Sequence, residues 1–151
     1  RFVSSYSLQE AGRGRAQILE YTVIPGEHGV GVRLVVNENL YSGPMSTGMF
    51  CMGLAYNQAL GFPAPVFTPV QVGTRSFVLA DKLKYCRFLY RETLRPPAFA
   101  VWTQQWVKKG WPSGIRVELE PIDTDGAKLS LGTFTIPVRA SKDVERDYED
   151  K

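Results

Sequence analysis

An antiparallel β-sheet domain of several strands is what this sequence predicts, and three observations predict it. Stretches rich in β-branched residues at 18–24 and 30–36 flank a Pro-Gly turn signal, and apolar and charged residues alternate strictly from Ile115 to Glu120. Little of the remainder carries a helical period. With 151 residues, 44% of them hydrophobic and 22% charged, the chain is long enough to bury a core as one domain. That domain is expected over 1–140, with the charged segment 141–151 as a tail that frays.

Taken in order, the first residues to about Ala16 include Ser4, Ser5, Ser7, Gly12 and Gly14 and show no clean apolar period. They are expected to be the tail of a helix ending near Gly-Arg-Gly, because glycine is costly inside a helix and common just past its end. Ile18–Ile24 and Val30–Val36 then read as a hairpin around Pro25-Gly26-Glu27-His28-Gly29. Asn37 to Gly48 is turn-rich. Met49–Tyr56 is a short apolar run that periodicity alone does not assign to strand or helix. Pro63, Pro65 and Pro69 keep the next loop out of a sheet centre, and Val66–Val72 is expected as an edge strand. Leu79–Tyr90 reads as strand. Ile115–Glu120 is predicted to have one buried and one wet face, followed by an Asp-Gly turn at Asp123–Gly126. The returning strand puts Leu129 and Leu131 on one parity and Phe134, Ile136 and Val138 on the other, so a bulge at Gly132-Thr133 is expected to restore a common face.

Eighteen basic against fifteen acidic side chains give a net charge of +3, too little to argue nucleic-acid binding. The basic residues Lys82, Lys84, Arg87 and Arg91 fall close together and are the candidate partner surface, set against the plain reading of solvated strand faces. No run of 18 apolar residues occurs. The chain opens at Arg1 without a signal sequence, and a preceding segment is expected. Cys51 and Cys86 stand far apart, outside any zinc spacing, and two readings stay open. They are buried thiols in a reducing compartment, or a disulfide in an oxidising one that removes roughly 3–4 kcal/mol of unfolded-state freedom.

Catalytic constellations are absent from the pattern. His28, the single histidine, sits in a Gly-rich turn, and no G-x-S-x-G word occurs. Asp123, Asp125 and Gly126 start a calcium-loop word, but Gly132 stands where the closing glutamate belongs. Gly26, Gly29 and Gly31 precede a strand, where a phosphate cradle needs a helix, and Glu118 and Glu120 share a solvated strand face. Trp102, Trp106 and Trp111, with Phe99 and Tyr90, form an aromatic zone. Core packing is the favoured reading of that zone and a stacking platform for sugars or bases the other.

From Ser76 to Arg139 these words follow one another in fixed order: Leu79–Tyr90, then Trp102 and Trp106, then Trp111–Glu120, then Phe134–Val138. The order resembles the C-terminal half of the minor pseudopilins of type II secretion, the J class in particular. There an L-x-x-V-x-x-L-x-F-x-Y segment precedes W-x-x-x-W, an L-P-x-x-V-R-V-x-L strand and an end near F-x-V-P-V. Cys86, Phe88 and Tyr90 match the first element, Trp102 and Trp106 the second, and Pro112, Ile115, Arg116, Val117 and Leu119 the third. Trp111 and Cys86 stand where the family has leucine. A strand after the family's F-x-G word, here Tyr41-Ser42-Gly43, favours strand for Met49–Tyr56.

The resemblance implies an α+β, pilin-like fold of mostly antiparallel β-sheets, with a long N-terminal helix of which only a stub lies in this chain, and the Phe-Thr-Leu-Ile-Glu prepilin segment before Arg1. It implies a non-catalytic protein without cofactors. Such a protein is anchored in the inner membrane with a periplasmic domain, trimmed by a prepilin peptidase, and assembled with I-, K- and H-class pseudopilins at a pseudopilus tip that touches exported proteins. The tryptophans would then be structural, and the Tyr41–Met49 loop joins the candidate partner surface. The alternatives are a minor pilin of a type IV pilus and a secreted β-sheet carbohydrate-binding module.

Overall fold

The computed structural model describes residues 1–58, 61–74, 76–93, 99–108, 110–123 and 132–139. Among them are nine strands and two short 3-10 helices. The fold is therefore β-rich. The α+β expectation is overturned at its N-terminal end, where Phe2–Ser7 is a strand, β1, and Gly12–Pro25 is a second, β2. Phe2 pairs with Leu19 and Ser7 with Gly12. The glycines that suggested a helix end are instead the first residues of a strand, after a tight turn in which Ala11 takes a φ of 49°. The turn is held by one carboxylate: Glu38 accepts hydrogen bonds from Ser7 Oγ at 2.8 Å, from Gln9 N–H at 3.2 Å and from Leu8 N–H. No helix among the described residues is long and apolar enough to cross a membrane.

The single domain expected over 1–140 is organised as two compact units, Arg1–Lys82 and Leu83–Lys151. In the first unit β2 pairs antiparallel with β3, Val32–Leu40, from Gln17 opposite Leu40 to Pro25 opposite Val32. This is the expected hairpin. Its turn requires glycine at position 26, because a Cβ there would lie 2.0 Å from the Val30 carbonyl oxygen, while Gly26 N–H donates to Gly31 O at 2.9 Å. His28 sits in that turn, exposed, at a φ of 57°. Ile18, Leu19, Leu34, Val35 and Val36 are buried, and consecutive buried positions mean that both faces of the hairpin are covered.

A 3-10 helix, Pro44–Phe50, leads into β4, Cys51–Asn57, which pairs with β5, Phe62–Phe67, as a separate two-stranded sheet. The apolar run 49–56 is thus mostly strand, as expected. The edge strand expected at 66–72 begins earlier and ends at Phe67, with Pro63 and Pro65 inside it. Asn57 and Phe62 close the hairpin, with Gly61 N–H on Asn57 O at 2.9 Å.

Beside β3 runs β6, Ser76–Glu92, which passes from the first unit into the second. Within it Lys82 has a φ of 53°, and its N–H is held by the Asp81 carboxylate at 2.7 Å. In the second unit β6 pairs with β7, Val101–Thr103, and with β8, Gly114–Pro121, which in turn pairs with β9, Thr133–Pro137. The strand returning after the Asp123 turn is therefore β9. Leu129, Leu131, Asp125, Gly126 and the segment 141–151 lie outside the described residues. Leu83 and Leu119 are buried in this unit.

Candidate functional site

Cross-strand partners in a sheet share a face, and the register of the second unit sorts its side chains into two. On one face Cys86 lies opposite Leu119, Phe88 opposite Val117, and Tyr90 opposite Ile115. Val117 continues to Phe134 and Ile115 to Ile136 on β9. The motif residues that sequence order brought forward thus become rungs of one apolar ladder. Burial pushes the Cys86 thiol and the Tyr90 hydroxyl up from their ordinary pKa values. At the β9 edge the ladder is open to solvent, with Phe134 and Ile136 each more than half exposed.

The expected single wet face of β8 is less simple. Arg116, Glu118 and Glu120 alternate as predicted, yet all three are only half exposed, because β6 and β9 flank them. Arg116 lies over the Trp102 ring at 4.1 Å and 3.7 Å from Glu118, while its Nε is buried without a hydrogen-bond partner among the described residues. The ring face gives this partly exposed cation a favourable contact. Lys84 is exposed and bonds Glu120 at 3.0 Å, and Arg87 is exposed over Tyr85 at 4.9 Å. Arg91 is exposed, opposite Trp102 on β7. Lys82, also exposed, belongs to the first unit. Lys84, Arg87 and Arg116 are each matched by a carboxylate or a ring, so this is a mixed surface rather than a bare phosphate-binding stripe.

Trp106 is half buried and donates Nε1–H to Gly110 O at 2.6 Å. Pro112 is buried, and Ser113 N–H next to it bonds Arg91 O at 2.8 Å, which fixes the start of β8 against β6. Two aromatics of the zone are not packed: Trp111 is 61% and Phe99 87% exposed. Core packing therefore accounts for Trp102 and Trp106 in part and for Trp111 not at all.

The first unit holds two features the sequence reading missed. Glu20, 4% exposed, faces Asn37 across β2–β3. Its carboxylate accepts from Asn37 Nδ2 at 3.3 Å, from Asn39 Nδ2 at 3.0 Å and from Arg1 Nε at 2.5 Å. Asn37 also donates to Gln71 O at 2.9 Å and accepts from Ser76 Oγ at 2.5 Å. Arg1 reaches on to Thr68 O and lies over Phe50 and Phe67, so this network ties the root of the β4–β5 arm to the hairpin. The available signal was an acid in the middle of a β-branched run with Asn-Glu-Asn in its partner strand. The second feature is the arm and the helix leading into it: Met52, Leu54, Tyr56 and Phe67 on the arm and Met45 and Met49 in the helix are all exposed, Met45 at 92%. The Tyr41–Met49 loop lies at its base and includes the start of the Pro44–Phe50 helix.

Cys51 on the arm is exposed and Cys86 half buried, and both thiols are free. Among the described residues no group of three His, Cys, Asp or Glu is placed to hold a metal ion. Arg33 grips Asp81 with two bonds, at 2.8 and 2.9 Å, and also pairs with Glu27. That raises the guanidinium's pKa and lowers the carboxyl's. Comparison with protein-family models, curated proteins and solved structures returns no match.

Proposed function

We propose that this chain is a non-catalytic assembly subunit, the β-sheet head of a minor pseudopilin of type II secretion, J class. In this reading it works at a pseudopilus tip in the cell envelope, with I-, K- and H-class partners and exported proteins. The observation that carries the reading is the ladder: the residues that bear the resemblance, Cys86, Phe88 and Tyr90 against Leu119, Val117 and Ile115, are direct cross-strand partners. Words that recur in order along a chain are expected to do so when they build one packing unit. The reading takes over the family's role and not its helix-plus-sheet architecture.

What such a head contributes is mechanical. Partner contact requires about 800 Å² a side of mixed or apolar surface, and the exposed Phe134 and Ile136 on the ladder face are apolar surface of that kind, with the charged Arg87 and Arg91 on the opposite face of the sheet. The test is co-elution of the purified chain with I-class and K-class heads in size-exclusion chromatography, repeated with Phe134→Asp and Ile136→Asp. A stoichiometric complex weakened by either substitution is the expected result. DNA binding that falls steeply with salt, in place of that complex, would move the assignment to a type IV pilin. Quenching of tryptophan fluorescence by oligosaccharides would instead favour a sugar-binding module, for which the exposure of Trp111 is the one favourable observation.

A further inference from the structure

We propose that two copies of this chain pair edge to edge through β4, antiparallel about a two-fold axis at Ala55, giving a four-strand sheet in the order β5-β4-β4-β5. This goes beyond the assembly reading and does not depend on it.

The argument begins with two prolines. Pro63 and Pro65 have no N–H to give, yet they pair with Tyr56 and Leu54 in the β4–β5 register. The ladder bonds between the strands must therefore run through the intervening pairs, Ala55 with Ala64 and Gly53 with Val66. The backbone of Pro63 and Pro65 then points away from β4, and the outer edge of β5 is blunted at both positions. By the same alternation, Leu54 and Tyr56 aim their N–H and C=O groups away from β5. Among the described residues nothing continues the sheet on that side, since it has only these two strands. One edge is closed and one is open.

The open edge suits a copy of itself. Turned about an axis at Ala55, each Leu54 comes opposite the other copy's Tyr56, and both such pairs are of the hydrogen-bonded kind. An axis at Leu54 would instead set Tyr56 against Met52, where the register slips between Cys51 and Gly53 and Gly53 takes a φ of 123°. Of these two axes, the one at Ala55 keeps the bulge out of the hydrogen-bonded rungs. Leu54 is 72% and Tyr56 67% exposed, and a leucine facing a tyrosine across strands is a favourable pair.

Charge permits the approach. From Asn39 to Thr74 the chain has no Asp, Glu, Lys, Arg or His, although charged residues make up 22% of the whole. Two like arms therefore meet without repulsion, and a charged partner finds nothing to pair with. The exposed apolar side chains Met52, Leu54, Tyr56 and Phe67 of the arm, with Met45 and Met49 in the helix that leads into it, supply uncharged apolar surface around the junction. Closure is built in, because the prolines leave no second edge for a third copy. The expected product is a dimer and not a fibre.

Sedimentation equilibrium over a dilution series tests this, with a mass twice 16.9 kDa expected at the concentrated end. Tyr56→Lys places a cation at the junction and should return the protein to monomer with an unchanged far-UV circular dichroism spectrum. A second measurement covers the case in which that variant folds poorly. In a Cys51→Ser, Cys86→Ser background, Ala55→Cys lies opposite its own mate at a Cα separation of about 4.5 Å, within disulfide reach. It should oxidise to a covalent dimer. Leu54→Cys, facing Tyr56 of the other copy, should not. A protein that remains monomeric, or that forms no dimer through position 55, overturns the proposal. So does a monomer whose arm partitions into neutral phosphatidylcholine vesicles, an outcome that would make the charge-free arm a membrane contact.

Discussion

The β2–β3 hairpin and the β4–β5 arm are both antiparallel pairs rich in apolar residues, and solvent treats them in opposite ways. Along β2 and β3 Ile18, Leu19, Leu34, Val35 and Val36 are all less than one-tenth exposed, whereas on β4 Met52, Leu54 and Tyr56 are each about two-thirds exposed. The hairpin has β1 on one side and β6 on the other. Among the described residues the arm has no neighbouring strand on either side. Flanking strands complete the backbone bonding and bring side chains that cover the faces, so the same kind of local sequence becomes core in one place and surface in the other. The arm's root is another matter: it is held to the hairpin by the polar network around Glu20, which makes that carboxylate the joint between the two regions.

The largest effect expected from this contrast is in the hairpin core. Leu19→Ala should cost about 3 kcal/mol in urea unfolding, by loss of burial and the cavity left behind. Next comes the joint. Glu20→Ala strips Asn37, Asn39 and Arg1 of a shared acceptor and should cost about 2 kcal/mol, with faster proteolysis at 68–74 than in the parent. A smaller effect depends on pH. The Asp81 carboxyl is held below its ordinary value of 3.8, chiefly by hydrogen bonding to Arg33 and then by the Lys82 N–H. A depressed pKa in the folded state stabilises above the unfolded value and is lost as pH falls through the folded one. Unfolding midpoints of Asp81→Asn should therefore lie below the parent's near neutrality and converge with it in acid. An equal offset at every pH would break the assignment.

Two further tests sharpen the contrast, with smaller expected effects on stability. With a thiol reagent near pH 8, Cys51 on the exposed arm should react at least about tenfold faster than Cys86, whose thiolate is disfavoured by burial. Peptide mapping of the modified protein reads this directly, and equal rates would mean that the β6–β8 ladder opens freely. At dilutions where the chain is monomeric, Leu54→Ala should change stability by less than about 0.5 kcal/mol, since a side chain exposed in the single chain loses little on truncation. A cost comparable to that of Leu19→Ala would show the arm packed after all.

Much of the sheet was legible in the residues. The hairpin followed from two β-branched runs around Pro25-Gly26, where glycine is demanded by the Val30 carbonyl, and β8 followed from its strict alternation. The N-terminal strand was not legible. Residues 1–16 carry serines and glycines that fit a helix end as well as a strand, and only pairing with β2 decides between them. The covering of β8 on both sides, the stacking of Arg116 on Trp102 and the exposure of Trp111 likewise depend on which strands arrive beside them.

By itself the sequence determined where strands form, where the chain turns and which residue types return in order from Leu79 to Val138, because these depend on local backbone preference and on side-chain period. Only the tertiary structure decided that the chain is β-rich from Phe2 onward, that its contacts gather into two units, that Glu20 is a buried joint, and that the β4–β5 arm keeps one open edge. Each of those is settled by which distant segments pair and cover one another, and burial and edge pairing are properties of neighbours that no local stretch contains.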